Sequence, residues 1–167
     1  MKIIFRLVLL AASVALGCWL WTVLFPGPEK LVLRKISSLA ATATFSASDG
    51  NITRATKVSS FIGYFSTDAE IIFDVKGYPA HTLSGRDEIR ESAAGGFTSL
   101  SALNVQFLDV SVRLGADKLT ADVSCTARVY GGDGRDKDFG VQEMRFQLKK
   151  IDGDWLITRA ETVKTLS

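Results

Sequence analysis

The chain of 167 residues is 47% apolar, with a mean hydropathy of +0.18 and a formal net charge of +2. That length suits one domain with a real core, and the composition excludes collagen-like, disordered, disulfide-dense and multi-span membrane classes. Twenty of the first 25 residues are apolar, and Lys2 and Arg6 there account for the net charge. The rest of the chain is therefore a formally neutral domain, without the basic stripe that nucleic acid requires.

In chain order the first element is the uncharged run at 7–25, nineteen residues long. At about 1.5 Å rise per residue it just crosses a bilayer core of about 30 Å. Leu7, Leu10 and Leu16 belong to its apolar length, and Trp19, Trp21 and Phe25 crowd its far end, where aromatic rings favour the headgroup zone. Pro26-Gly27-Pro28 stops the helix. The pattern predicts a single-pass protein. Residues 1–27 form an uncleaved signal anchor, and residues 28–167 form a domain outside the cytoplasm, periplasmic in a bacterium. Cleavage near Ala15-Leu16-Gly17 or lipidation at Cys18 are the alternatives. All three export the domain, and a cytoplasmic orientation is the remaining alternative. The flanking charge bias is weak, because Lys30, Arg34 and Lys35 follow the span against Glu29 alone. Cys18 in the span and Cys125 in a strand leave no disulfide within the domain.

The body begins with a predicted helix at 29–44, with Val32, Ile36, Leu39 and Ala43 at helical spacing. A polar break at 46–50 leads to a second helix with Ile52, Ala55, Val58, Phe61, Ile62 and Phe65 on one face. Residues 68–75 read as a short strand, and His81-Thr82-Leu83 as its partner. Ser84-Gly85-Arg86-Asp87 matches a capping box, opening a third helix that ends near Ser92 or Ser99. The rest is β. At 103–114 the apolar phase slips between Phe107 and Leu108, the mark of a bulge. Leu119, Ala121, Val123, Cys125, Ala127 and Val129 then alternate without a fault. A loop at 131–138 precedes strands at 139–151 and 155–163, joined by Asp152-Gly153, a type I′ hairpin signal.

Three passages carry a resemblance. They are Phe65-Ser66-Thr67-Asp68-Ala69-Glu70-Ile71-Ile72-Phe73, Leu83-Ser84-Gly85-Arg86-Asp87-Glu88-Ile89 and Lys150-Ile151-Asp152-Gly153-Asp154-Trp155-Leu156-Ile157. In this order and spacing, over residues 29–163, the chain resembles the nuclear transport factor 2-like superfamily, with its SnoaL-like and ketosteroid isomerase-like domains. The resemblance implies an α+β cone, with three helices packed on a curved, mostly antiparallel sheet and a pocket at the open end. Isomerases, dehydratases, cyclases and pure binding domains share that fold, so fold does not decide function.

An isomerase of this kind needs a carboxylate base on the first strand and an oxyanion hole of a tyrosine and a protonated acid. Asp74 matches the base, but one extra residue after Asp68-Ala69 would turn it to the other face. The helix at 29–44 holds no tyrosine. His81, the only histidine, lacks a second ligand at metal spacing, and rim histidines are common. Asp133, Asp136 and Asp138 lack the alternating acids and terminal glutamate of a calcium loop, so a solvated hairpin loop is expected there. Arg128, Glu143, Arg145, Arg159 and Glu161 read as cross-strand pairs on the outer face, or as a polar dimer or partner face. Asn51-Ile52-Thr53 is a glycan acceptor only in a host that glycosylates.

Together these observations predict a membrane-anchored, exported, non-catalytic cone domain without cofactor or metal. Its expected partners are a membrane protein, a second copy or a small apolar ligand. The competing prediction is an isomerase, dehydratase or cyclase acting on a small apolar molecule, with Asp74 as base and His81 beside it at the cone mouth.

Overall fold

The computed structural model describes residues 27–74, 79–131 and 137–163, together with Val14 and Leu16. The leader at 7–25, including Leu7, Leu10, Trp19, Trp21 and Phe25, otherwise lies outside the described residues, and Val14 and Leu16 are helical and exposed. Among the described residues no helix is long and apolar enough to cross a membrane.

Helix α1 spans Pro28–Ala43, with its proline in the first turn, where a missing N–H costs nothing. Its apolar stripe, Val32, Ile36, Leu39 and Ala43, is buried as the spacing predicts. Thr44 ends it. The Thr44 hydroxyl donates to Ala40 O at 2.9 Å and accepts the Val105 N–H at 3.0 Å. Phe45 then exchanges both backbone hydrogen bonds with Leu103, at 2.8 and 2.9 Å, which pins α1 to the sheet edge.

Helix α2, Asn51–Ile62, buries only Val58 and Ile62. Ile52 is 85% exposed and Ala55 is exposed, contrary to the predicted stripe, because Ala55 faces an open cleft rather than packed side chains. Phe65 is not helical either. The turn at Gly63-Tyr64 ends α2, and Phe65 opens strand β1, Phe65–Phe73. The start of β1 is therefore earlier than predicted. Strand β2, His81–Ser84, pairs antiparallel with it.

Helix α3, Gly85–Ser99, is capped differently from the box read in the sequence. The Ser84 hydroxyl makes no cap hydrogen bond; instead the Ser84 N–H donates to Glu88 Oε2 at 2.6 Å. Asp87 instead accepts from Arg90 at 2.7 Å. Gly85 stands at φ +81°, which displaces the helix start by one residue and so puts Glu88, not Asp87, within reach. Arg86 Nε donates to Phe65 O at 2.7 Å and ties this turn to β1.

Strands β3 (Leu103–Leu114), β4 (Thr120–Gly131), β5 (Lys137–Ile151) and β6 (Asp154–Val163) form an antiparallel meander. The six described strands make one curved, mixed sheet in the order β2-β1-β6-β5-β4-β3, with β1 parallel to β6. The β3 bulge lies between Leu108 and Ser111, with Asp109 at φ +51°. It comes one residue later than predicted, so Leu108 faces outward, 40% exposed. Leu119 precedes β4 and is also exposed, because it belongs to the hairpin turn rather than the alternating run. Asp152 and Gly153 sit at φ +50° and +94°, as a type I′ turn requires.

In the β3–β4 turn, Asp117 Oδ1 accepts from the Leu119 N–H, the Thr120 N–H and the Thr120 hydroxyl. The Leu119 N–H bond comes first among the causes that hold this carboxyl below its ordinary range. An alanine Cβ at Gly115 would collide with that fixed Thr120 hydroxyl. Gly115→Ala is therefore expected to cost about 1–3 kcal/mol in urea unfolding. Adding Thr120→Ala should return part of the loss; an equal loss in the double variant would rule out the collision as its cause.

Candidate functional site

The concave face of the sheet is where a ligand pocket is expected. Ala121, Val123 and Cys125 of β4, Phe146 and Leu148 of β5, and Trp155, Ile157 and Ala160 of β6 all point there. They join Phe65, Ala69 and Ile71 of β1 and Val32, Ile36 and Leu39 of α1 in one buried cluster. Phe107 meets Phe146 edge-on, with ring centroids 5.5 Å apart, and Phe61 lies 5.2 Å from Phe65. Along this stretch the face turned to the helices is lined by buried apolar side chains. Burial pushes the Cys125 thiol up to about 11, so it stays protonated at neutral pH and is no nucleophile.

Asp74 lies one residue beyond β1, and its backbone N–H donates to the Thr162 hydroxyl at 2.7 Å. His81 opens β2 directly opposite Phe73, exposed to solvent. The structure thus brings the two candidate catalytic residues to the same end of the β1–β2 pair, at the rim. Asp133 and Asp136 lie outside the described residues, while Asp138 sits in β5 opposite Tyr130 rather than in the loop predicted for it.

The outer face carries a connected set of ions. Arg145 Nη1 lies 3.4 Å from Glu161 Oε1, Arg159 Nε 3.1 Å from Glu161 Oε2, and Arg159 Nη1 3.1 Å from Glu70 Oε2. The parallel pairing of β1 with β6 sets Glu70 against Arg159. Each pair alone is worth little at the surface, but Glu161 and Arg159 are each shared, which links β5, β6 and β1. Glu70 has no neighbour in the sequence that announces this role. Arg128 stands apart, with its guanidinium 5.1 Å over the Tyr130 ring, and its Nε is buried without a hydrogen-bond partner among the described residues. Glu143 faces Thr126 and Val163 across its neighbouring strands.

Arg54 is the residue the sequence reading missed altogether. Its guanidinium donates to the carbonyls of Phe97 (2.8 Å), Leu100 (2.8 Å), Ser101 (2.6 Å), Asp49 (3.1 Å) and Ser46 (3.4 Å). It also lies 4.8 Å over the Phe45 ring. Beside it Lys57 Nζ bonds Asp49 Oδ2 at 2.9 Å and Thr44 O at 2.7 Å. All but one of these hydrogen bonds are to backbone carbonyls, so no side-chain pattern signals them.

Among the described residues, open clefts flank these elements. One of about 440 Å³ lies between residues 44–49 and the Leu103–Tyr130 edge. One of about 400 Å³ lies between α1 and the end of α2, and one of about 350 Å³ between α2 and α3. Neither Asp74 nor His81 lines any of them.

The family model for the SnoaL-like domain matches residues 49–161. No curated protein matches. Among solved structures, a nuclear transport factor 2-like protein with a cystatin-like fold from Novosphingobium aromaticivorans is similar at 16% identity and a TM-score of 0.64, over 92% of this chain and 86% of that one. A candidate dehydratase of the same family from Streptomyces avermitilis shares 18% identity with a TM-score of 0.63, over 83% and 96% of the two chains. A candidate scytalone dehydratase from Novosphingobium aromaticivorans shares 13% with a TM-score of 0.61, over 82% and 83%. At these identities the likeness is one of fold.

Proposed function

The chain belongs to the SnoaL-like domain family, and from that membership we propose that it serves as a non-catalytic binding domain, exported and tethered to the membrane by residues 1–27. Its partner, a membrane protein or a second copy, would meet the convex sheet face carrying Arg128, Glu143, Arg145, Arg159 and Glu161. A small apolar ligand is the other cargo of this reading. The observation that supports the binding over the catalytic reading is the concave face itself, where Phe146, Leu148 and Trp155 share one buried apolar cluster with Ile36 and Leu39 and neither Asp74 nor His81 is among them. The shared ion pairs of Arg159 and Glu161 supply a preformed polar surface whose charges already have partners. The uncharged run at 7–25 supports the tether, and the division at residue 27 follows from it.

The test is gentle detergent extraction of the full chain followed by cross-linking mass spectrometry. Cross-links from β5 and β6 to a second polypeptide are expected, and they should weaken when Arg159→Ala and Glu161→Ala are combined. A clean monomer with nothing bound would sink the proposal.

The second reading is an isomerase, dehydratase or cyclase with Asp74 as base. It is favoured by the placement of Asp74 and His81 at one rim and by the dehydratase descriptions of the fold relatives. Turnover of a retained small molecule by the wild type, abolished in Asp74→Asn while retention and melting are unchanged, would decide for it.

A further inference from the structure

Helix α1 buries one stripe and leaves another arc exposed. At about 100° per residue, Lys30, Arg34, Ser38, Leu31 and Lys35 fall within about 140° of one another, away from Val32, Ile36 and Leu39. Glu29 lies outside that arc. Lys30 and Arg34 are exposed, and among the described residues none of the three cations has a carboxylate at ion-pair distance. The arc forms one wall of the cleft of about 400 Å³, which is lined by Leu31, Arg34, Lys35, Ser38, Ser60, Gly63 and Tyr64.

That lining holds two cations, two hydroxyls and a phenol, and no acid. Lys35 Nζ stands 5.0 Å over the Tyr64 ring, so its stem is held down while the ammonium stays at the cleft. Tyr64 is fixed in turn by its hydroxyl, 3.2 Å from Thr42 Oγ1. The arrangement complements a phosphate carrying one negative charge. Three cations on a single helical arc are too few to track a nucleic-acid backbone, but they match a headgroup.

The source of the phosphate follows from the chain that precedes it. Only Pro26 and Gly27 separate the uncharged run at 7–25 from α1, a reach of about 10 Å at most. That is close to the distance over which charges act through physiological salt, about 8 Å. We infer that the Lys30–Arg34–Lys35 arc and its cleft with Tyr64 bind the headgroup of an anionic phospholipid, docking the domain side-on against the bilayer surface. This rests on the reading of residues 7–25 as a membrane span.

The test is native mass spectrometry of the full chain released from micelles doped with equal phosphatidylglycerol and phosphatidylcholine. Wild type should retain phosphatidylglycerol preferentially. Arg34→Gln with Lys35→Gln should reduce that preference about 25-fold, at roughly fivefold per cation, and Arg34→Lys should preserve most of it. Equal retention of the two lipids, or a preference unchanged in the double variant, would overturn the proposal, as would displacement of the lipid by millimolar inorganic phosphate. Circular dichroism checks that the double variant stays folded. The span is read separately, by flotation of the chain with pure phosphatidylcholine vesicles after alkaline extraction. Failure there removes the tether while leaving the lipid preference measurable.

Discussion

Phe146→Ala is expected to lower the unfolding free energy by about 3–5 kcal/mol, the range for emptying a buried aromatic site. Phe146 is 2% exposed, in the middle of the sheet, with Val123 beside it on β4 and Ala160 on β6. Ladder hydrogen bonds hold the strands on both sides, so the backbone cannot close over the lost ring. The small Ala160 offers nothing to fill the gap, and Phe107 loses its edge-on partner. Phe146→Leu should cost about 1 kcal/mol, since most of the volume stays. Urea unfolding measures both, and an unchanged slope would show that the denatured state is not the cause. The result bears on function as well as stability. A loss below about 1.5 kcal/mol would mean that the concave face already contains slack, and the small-ligand reading would gain over the protein-partner reading.

The second large effect is expected at Arg54. Arg54→Ala should cost about 3 kcal/mol, because charge-assisted hydrogen bonds to several carbonyls disappear together and partly buried acceptors are left without donors. Phe97, Leu100 and Ser101 present the carbonyls at the end of α3, where a helix has no further N–H of its own to offer. A positive charge there also interacts favourably with the negative end of the helix dipole. The Asp49 and Ser46 carbonyls belong to the loop before α2, so one side chain joins a helix end to a loop that Lys57 also holds through Asp49 and Thr44. The Phe45 ring beneath it stacks on Phe97, with centroids 4.6 Å apart, and should loosen with it. Lysine keeps the charge but not the planar fork, so Arg54→Lys should recover less than half of the loss. Full recovery by lysine, read from thermal or urea midpoints, would show that charge alone matters and that the fork does not.

The parts of the fold legible in the sequence are those written locally. The alternation of Ala121, Val123, Cys125 and Ala127, the α1 stripe and the Asp152-Gly153 turn each need only their own neighbours. Where a boundary depends on the backbone, the reading slips. Val58, Phe61, Ile62 and Phe65 keep helical spacing straight through the Gly63-Tyr64 turn, so the pattern could not tell where α2 stops. Leu108 looked inward because it is apolar, whereas the left-handed conformation at Asp109 leaves both residues outside. The resemblance implies a curved, mostly antiparallel sheet but not its strand order, and nothing local pairs β1 with β6. The candidate site was legible in the same uneven way. Arg145, Arg159 and Glu161 were found because they lie on neighbouring strands of one hairpin. Glu70 was not, because it reaches Arg159 only through a parallel pairing across the whole domain. Arg54 speaks almost wholly to carbonyls, which every residue has.

The strand order has a consequence for how the chain is made. Strands β3, β4 and β5 can zip together as they leave the ribosome, each onto the one before. Strand β6 is the last of the described strands in chain order, yet it sits between β5 and β1. Until it is synthesised, the β1–β2 pair has no sheet to join, and both β1 and β5 present an open edge of unpaired N–H and C=O groups. Such edges recruit other chains. A ribosome stalled before residue 154 therefore displays two sticky edges at once, and the final ten-residue strand closes both in a single event.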